Sequence, residues 1–129
     1  MADSELYRKG AQIRRQLLGD DFVQRANSTI YDDPHTKKFI DLATETVFGA
    51  ICSRPGLDLK TRTLVVVVSD AATGRHEELA IHLRMALRQG WTEEQLDEVL
   101  LQLLGYVGAP LIREAILTAK KVYAEMTPK

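Results

Sequence analysis

Apolar residues recur along most of this chain at helical spacing. Phe39, Ile40, Ala43, Val47, Phe48 and Ile51 follow the 3.6-residue period and predict a helix running to about Cys52. Asp33-Pro34 marks its start, with Asp as N-cap and Pro at the first helical position. The same period links Leu96, Val99, Leu100, Leu103 and Leu104, behind a capping box made by Thr92 and Gln95. Gly105 to Pro110 interrupts that stripe. A last helix starts at Pro110, with Ile112, Ala115, Ile116, Ala119, Val122 and Tyr123 on its inner side, and the tail from Met126 is expected to fray. Near the N-terminus, Ser4 is expected to cap a helix that ends at about Leu18, with Gly19 as its stop. Asp20 to Asp33 reads as a short helix and a loop, and Arg54-Pro55-Gly56-Leu57 as a turn.

One stretch sets propensity against context. Leu64-Val65-Val66-Val67-Val68 is β-branched enough to pass for a buried strand. The chain holds no second convincing strand, and a lone strand leaves its backbone groups unpaired. Leu59 to Ala72 is therefore predicted as a helix buried on most sides, closed at Gly74. A helix from Glu77 to Gln89 follows and stops at Gly90. The predicted fold class is all-α. Apolar residues on several helix faces further predict that the domain is oligomeric.

The 129 residues fit a single domain, 1–129. A formal net charge of −1, with no long like-charged run, argues against a nucleic-acid partner. The apolar run at Leu64 to Val68 is far too short to span a bilayer, and the N-terminal MADSELYRKG has no signal-peptide core. With one cysteine, Cys52, no intrachain disulfide can form, and a cytoplasmic location is the default expectation. The three histidines and Cys52 show no metal-binding spacing.

Candidate chemistry gathers between Arg62 and Gly90. Glu78 and His82 are four residues apart on a predicted helix, which puts them on one face with Cβ atoms about 5–6 Å apart. An imidazole beside a carboxylate can do proton chemistry near neutral pH. The same spacing also describes a solvated pair that merely supports its helix. Similarly, Glu45 reads as either an acid or a structural ion-pair partner, and Arg54 and Arg62 as either carboxylate binders or structural braces. Cys52 reads as a small buried side chain, His35 and His76 as exposed helix-start residues.

Five segments, in order, carry a resemblance. RPGL at Arg54 to Leu57, TRTL at Thr61 to Leu64, EELAIHLRMAL at Glu77 to Leu87 and GYVGAP at Gly105 to Pro110 resemble the carboxymuconolactone decarboxylase family. GAQIRRQLLGDDFV from Gly10 to Val23 is similar to the opening of that family's shorter, decarboxylase branch. The resemblance implies a multi-helix alkylhydroperoxidase-D-like fold, assembled as a trimer or hexamer. It implies a cofactor-free carboxy-lyase that converts 4-carboxymuconolactone to 3-oxoadipate enol-lactone and CO2 in protocatechuate catabolism. It puts His82 in the active site as donor or proton source, with Glu78 orienting it. Arg62 or Arg54 would then bind a substrate carboxylate, and Glu45 is a possible second acid.

The sequence also departs from its relatives. The redox branch of the superfamily carries a CxxC motif whose cysteines fall here on Arg75 and Glu78, and Thr63 stands where that branch has a relay glutamate. Two-cysteine exchange needs a second sulfur, so a peroxidase or thiol-linked reductase is the weaker alternative. The decarboxylase branch shows WGxxW before RPGL; this chain has Phe48 and Cys52 at the two tryptophan positions, which bears on substrate more than on fold. A catalytically silent oligomer that binds a small carboxylate or a protein partner is the alternative of a different class.

Overall fold

Ser4 opens the first helix as expected: its hydroxyl accepts the Tyr7 N–H at 3.0 Å, satisfying one of the free donors of the first turn. The computed structural model describes residues 4–126, so the expected fraying beyond Met126 lies outside the described residues. Helix α1 spans Glu5–Leu18 and α2 spans Asp20–Thr29. Gly19 joins them at φ 91°, in the region that favours glycine. Helix α3, Pro34–Ala43, is capped by Asp33, whose carboxylate accepts the N–H groups of His35 and Thr36. Together with the Thr36 hydroxyl, these bonds hold the Asp33 carboxyl below its ordinary pKa.

The helix predicted to run on to Cys52 does so with a change of winding. Thr44–Ile51 is π-helical, a wider turn with i→i+5 bonds. Helix α1 packs along this segment at very short range. A Cβ on Gly10 would lie 1.9 Å from the Thr44 carbonyl oxygen, so only glycine permits the approach. Ile13, Leu17, Val23, Ala26 and Ile40 form the apolar interior of this part of the chain.

The chain divides into two compact units, Met1–Leu59 and Lys60–Lys129. In the second, α4 spans Leu59–Thr73, α5 His76–Arg88, α6 Glu93–Val107 and α7 Ala109–Met126. The β-branched run is thus helical, as the missing partner strand required. Its predicted burial on most sides is corrected. The buried positions are Thr63, Val67, Asp70 and Ala71, one helical face, while Val65 is exposed. The interruption expected at Gly105 is also corrected. Helix α6 continues through Gly105 and Tyr106 and ends at Gly108, whose φ of 94° breaks the helical winding.

The interior of the second unit joins Val67 and Ala71 of α4 to Leu79, Leu83 and Ala86 of α5, Leu96 and Leu100 of α6, and Ala115, Ala119 and Val122 of α7. Helix α7 packs on both α5 and α6. The predicted capping box at Thr92 and Gln95 is present. The Tyr123 hydroxyl donates to Asp97 at 3.0 Å, fastening α7 to α6; burial and this carboxylate push the phenol's pKa upward. Among the described residues, no helix is long and apolar enough to cross a membrane.

Candidate active site

Helices α4 and α5 form a hairpin whose turn depends on Gly74, at φ 72°. The Arg75 N–H returns to the Asp70 carbonyl at 3.0 Å, which closes the turn. The two helices are also tied by side chains. At one end, Gln89 donates to the buried Thr63 hydroxyl at 2.5 Å. At the other, His82 Nδ1 and Asp70 Oδ2 are 2.5 Å apart.

The Asp70–His82 pair is the clearest piece of polar chemistry in this unit. The Asp70 side chain is 5% exposed and that of His82 is 20% exposed. A buried carboxylate is costly unless it is paired, and here the imidazole supplies the partner. A carboxylate accepts, so Nδ1 carries the hydrogen and Nε2 is the nitrogen left to meet a reacting group. The result is an imidazole held at Nδ1 by a shielded acid. Arrangements of this kind suit general acid–base catalysis and donation to a developing oxyanion.

The carboxylate that reaches His82 Nδ1 is Asp70's. Glu78 lies one turn before His82, as its spacing requires, but is exposed in the first turn of α5. Sequence reasoning missed Asp70, although a signal was present. Thr63, Val67, Asp70 and Ala71 share one face of α4, and a lone acid within an otherwise uncharged helical stripe needs a buried partner. Pairing it with His82 required the hairpin, which brings together residues twelve apart in sequence.

The other candidates are placed as follows. Arg62 is half-buried two turns before Asp70 on α4. Arg54 is exposed in the turn after the π-helical segment and belongs to the first unit. Glu45 also belongs to the first unit, where its Oε2 accepts the Ser4 hydroxyl at 2.5 Å and ties the start of α1 to the π-helical segment. Cys52 is half-buried at the end of that segment. His76 is not the exposed residue expected: it is half-buried, and its Nδ1 is buried without a hydrogen-bond partner among the described residues.

Comparison with known proteins gives this geometry a context. The carboxymuconolactone decarboxylase family model matches residues 35–121. A protein named 4-carboxymuconolactone decarboxylase, from Acinetobacter baylyi, is 32% identical over 126 residues, covering 98% of this chain and 92% of its own. A nitrosuccinic acid decarboxylase from Metarhizium robertsii is likewise 32% identical over 126 residues, covering 96% of this chain and 85% of its own. The family match extends over most of the chain, and the identity to the relatives extends over nearly all of it. The chain belongs to the carboxymuconolactone decarboxylase family.

Proposed function

We propose that this protein is a decarboxylase that needs no cofactor and acts on a small carboxylated lactone, with 4-carboxymuconolactone as the leading substrate and 3-oxoadipate enol-lactone and CO2 as products. The observation that carries the reading is the His82 imidazole held at Nδ1 by buried Asp70, in a chain 32% identical to a relative named for this reaction.

The chemistry asks for what such an imidazole offers. When the C–CO2 bond breaks, its electron pair moves through the ring double bond onto the lactone carbonyl oxygen. A proton must then be delivered to the carbon next to that carbonyl, which restores the lactone and leaves the enol-lactone double bond. Negative charge on the oxygen is greatest in the transition state, where a fixed donor has its largest effect. In this reading His82 Nε2 donates to that oxygen or supplies the proton to carbon, and Asp70 positions it. Arg62, on α4 with Asp70, would pair with a substrate carboxylate in the two-bond geometry a guanidinium favours.

A second substrate follows from the relative named for nitrosuccinic acid. A nitro group is also an electron sink next to a departing carboxylate, so the same donor would serve. The site thus favours carboxylates whose loss feeds a conjugated oxygen. The chain is further proposed to self-associate as a trimer or hexamer in the cytoplasm.

The test is to incubate the purified protein with each compound and measure CO2 release. Release from 4-carboxymuconolactone, abolished or strongly reduced in His82→Asn, is the expected result. No release from either compound would contradict the reading and favour a silent oligomer.

A further inference from the structure

The first unit contains a cavity of about 180 Å3 between α1, α2 and α3. Its most unusual wall is Arg14, a residue only 6% exposed. Buried arginines are ordinarily neutralised by a carboxylate. Among the described residues, Arg14 forms no ion pair. Its Nη1 donates to the Asn27 side-chain oxygen at 3.0 Å, and its Cζ lies 5.5 Å from the centre of the Tyr31 ring. Both partners are neutral. A guanidinium has five N–H donors, and one is accounted for by Asn27.

The rest of the lining repeats the imbalance. Lys37 and Arg15 add two cations, and Asp41 is the one carboxylate. Asp41 is already engaged, by Lys37 at 3.7 Å and by the Tyr7 hydroxyl at 3.5 Å. Burial lowers the Arg14 pKa, opposed only by Tyr31 and Tyr7, as expected for a cation that lacks an anionic neighbour. Val23 and Ile40 give the cavity an apolar side.

We infer that this cavity is a binding site for a small organic carboxylate, with Arg14 as its anchor and Lys37 at its rim. The planar fork of Arg14 matches a carboxylate in the two-bond geometry. The aromatic and aliphatic walls suit a short hydrocarbon body, and the rim lysine suits a second acidic group. An inorganic phosphate would leave the apolar side formed by Val23 and Ile40 without a partner. The site lies wholly within residues 1–59, and the inference does not depend on the reaction assigned to His82.

Titration calorimetry on the full chain tests it, with succinate, phosphate and the neutral succinamide as probes. Succinate should bind in the wild type while phosphate and succinamide do not compete with it at equal concentration. Arg14→Lys keeps the charge but loses the fork and should weaken succinate binding by about tenfold. Lys37→Gln, at a position 66% exposed, should weaken it several-fold without altering the fold. If Arg14→Lys does not fold, nuclear magnetic resonance of the wild type decides: succinate should shift the Asn27 side-chain amide and the Arg14 Nε signals. Four results would overturn the inference. These are no succinate binding at millimolar concentration, binding unchanged in both variants, binding that maps outside residues 1–59, and binding of phosphate in preference to succinate.

Discussion

Asp70 Oδ2 and His82 Nδ1 stand 2.5 Å apart across the hairpin of α4 and α5, with Asp70 nearly fully buried and His82 partly open. The acid therefore engages Nδ1 and leaves Nε2 as the nitrogen a reacting group could meet. Asp70→Asn should let the ring turn or change tautomer. On the reading of His82 as a general acid, kcat should fall by about 10²-fold while KM moves little. Nitrogen resonances of His82 should report a population with the hydrogen on Nε2 that the wild type lacks. Asp70→Glu should recover part of the activity. An unchanged tautomer and an unchanged kcat would remove Asp70 from the account.

Gly10 offers a test of the first unit's packing. An added methyl group would sit 1.9 Å from the Thr44 carbonyl oxygen, and backbone cannot swing away as a side chain can. Gly10→Ala should destabilise the protein by about 1–3 kcal/mol or more, the range for overpacked interiors. Chemical denaturation measures it. A midpoint equal to the wild type would mean that α1 and the π-helical segment are less closely fitted than described.

The helical pattern made most of the fold legible in the sequence. Local chemistry marked Ser4, Asp33-Pro34 and Thr92 with Gln95 as helix starts, and each is one in the structure. The Leu64 to Val68 run was assigned correctly because strands need partners, an argument that outweighs propensity. The π-helical winding at Thr44–Ile51, where α1 approaches closely, was not legible in the apolar period. Nor was the partner of His82. Spacing along one helix pointed to Glu78, whereas the carboxylate that reaches Nδ1 comes from the neighbouring helix. Contacts within a helix can be read from sequence, but a pair across a hairpin needs the turn geometry.

The depressed pKa of Asp33 has a defined consequence for stability. Its carboxylate is favoured in the folded chain by Thr36 and by backbone N–H groups, so the folded pKa lies below the ordinary 3.8. The charged cap then stabilises the fold above that value, and this contribution is lost as pH falls through the lowered folded pKa. Asp33→Ala should lower the melting temperature at pH 7, and the gap from wild type should narrow in acid. A gap independent of pH would show that the charge contributes nothing.

Exposed apolar residues on α3 and its π-helical continuation supply a prediction about assembly. Phe39, Leu42, Val47 and Ile51 are between 46% and 62% exposed. Leu42 and Val47 flank the start of the wider π-helical winding at Thr44–Ile51. A patch of this kind is expected to be covered by another copy of the chain. Light scattering after size exclusion should give at least a trimer, and Phe39→Asp with Val47→Asp should yield smaller species. A stable wild-type monomer at micromolar concentration would contradict this.

The central claim is that the imidazole of His82 carries the proton chemistry. Steady-state turnover of 4-carboxymuconolactone by wild type and His82→Asn tests it most directly. Asparagine is of similar size and can hydrogen-bond, but it does not titrate near neutrality. A group that acts only in the transition state should, when removed, lower kcat far more than it raises KM. The expected loss in kcat is ~10²–10⁴-fold, with oligomeric state and melting behaviour little changed. Turnover by His82→Asn at the wild-type rate would contradict the account and move the search for the reacting group away from the Asp70–His82 pair.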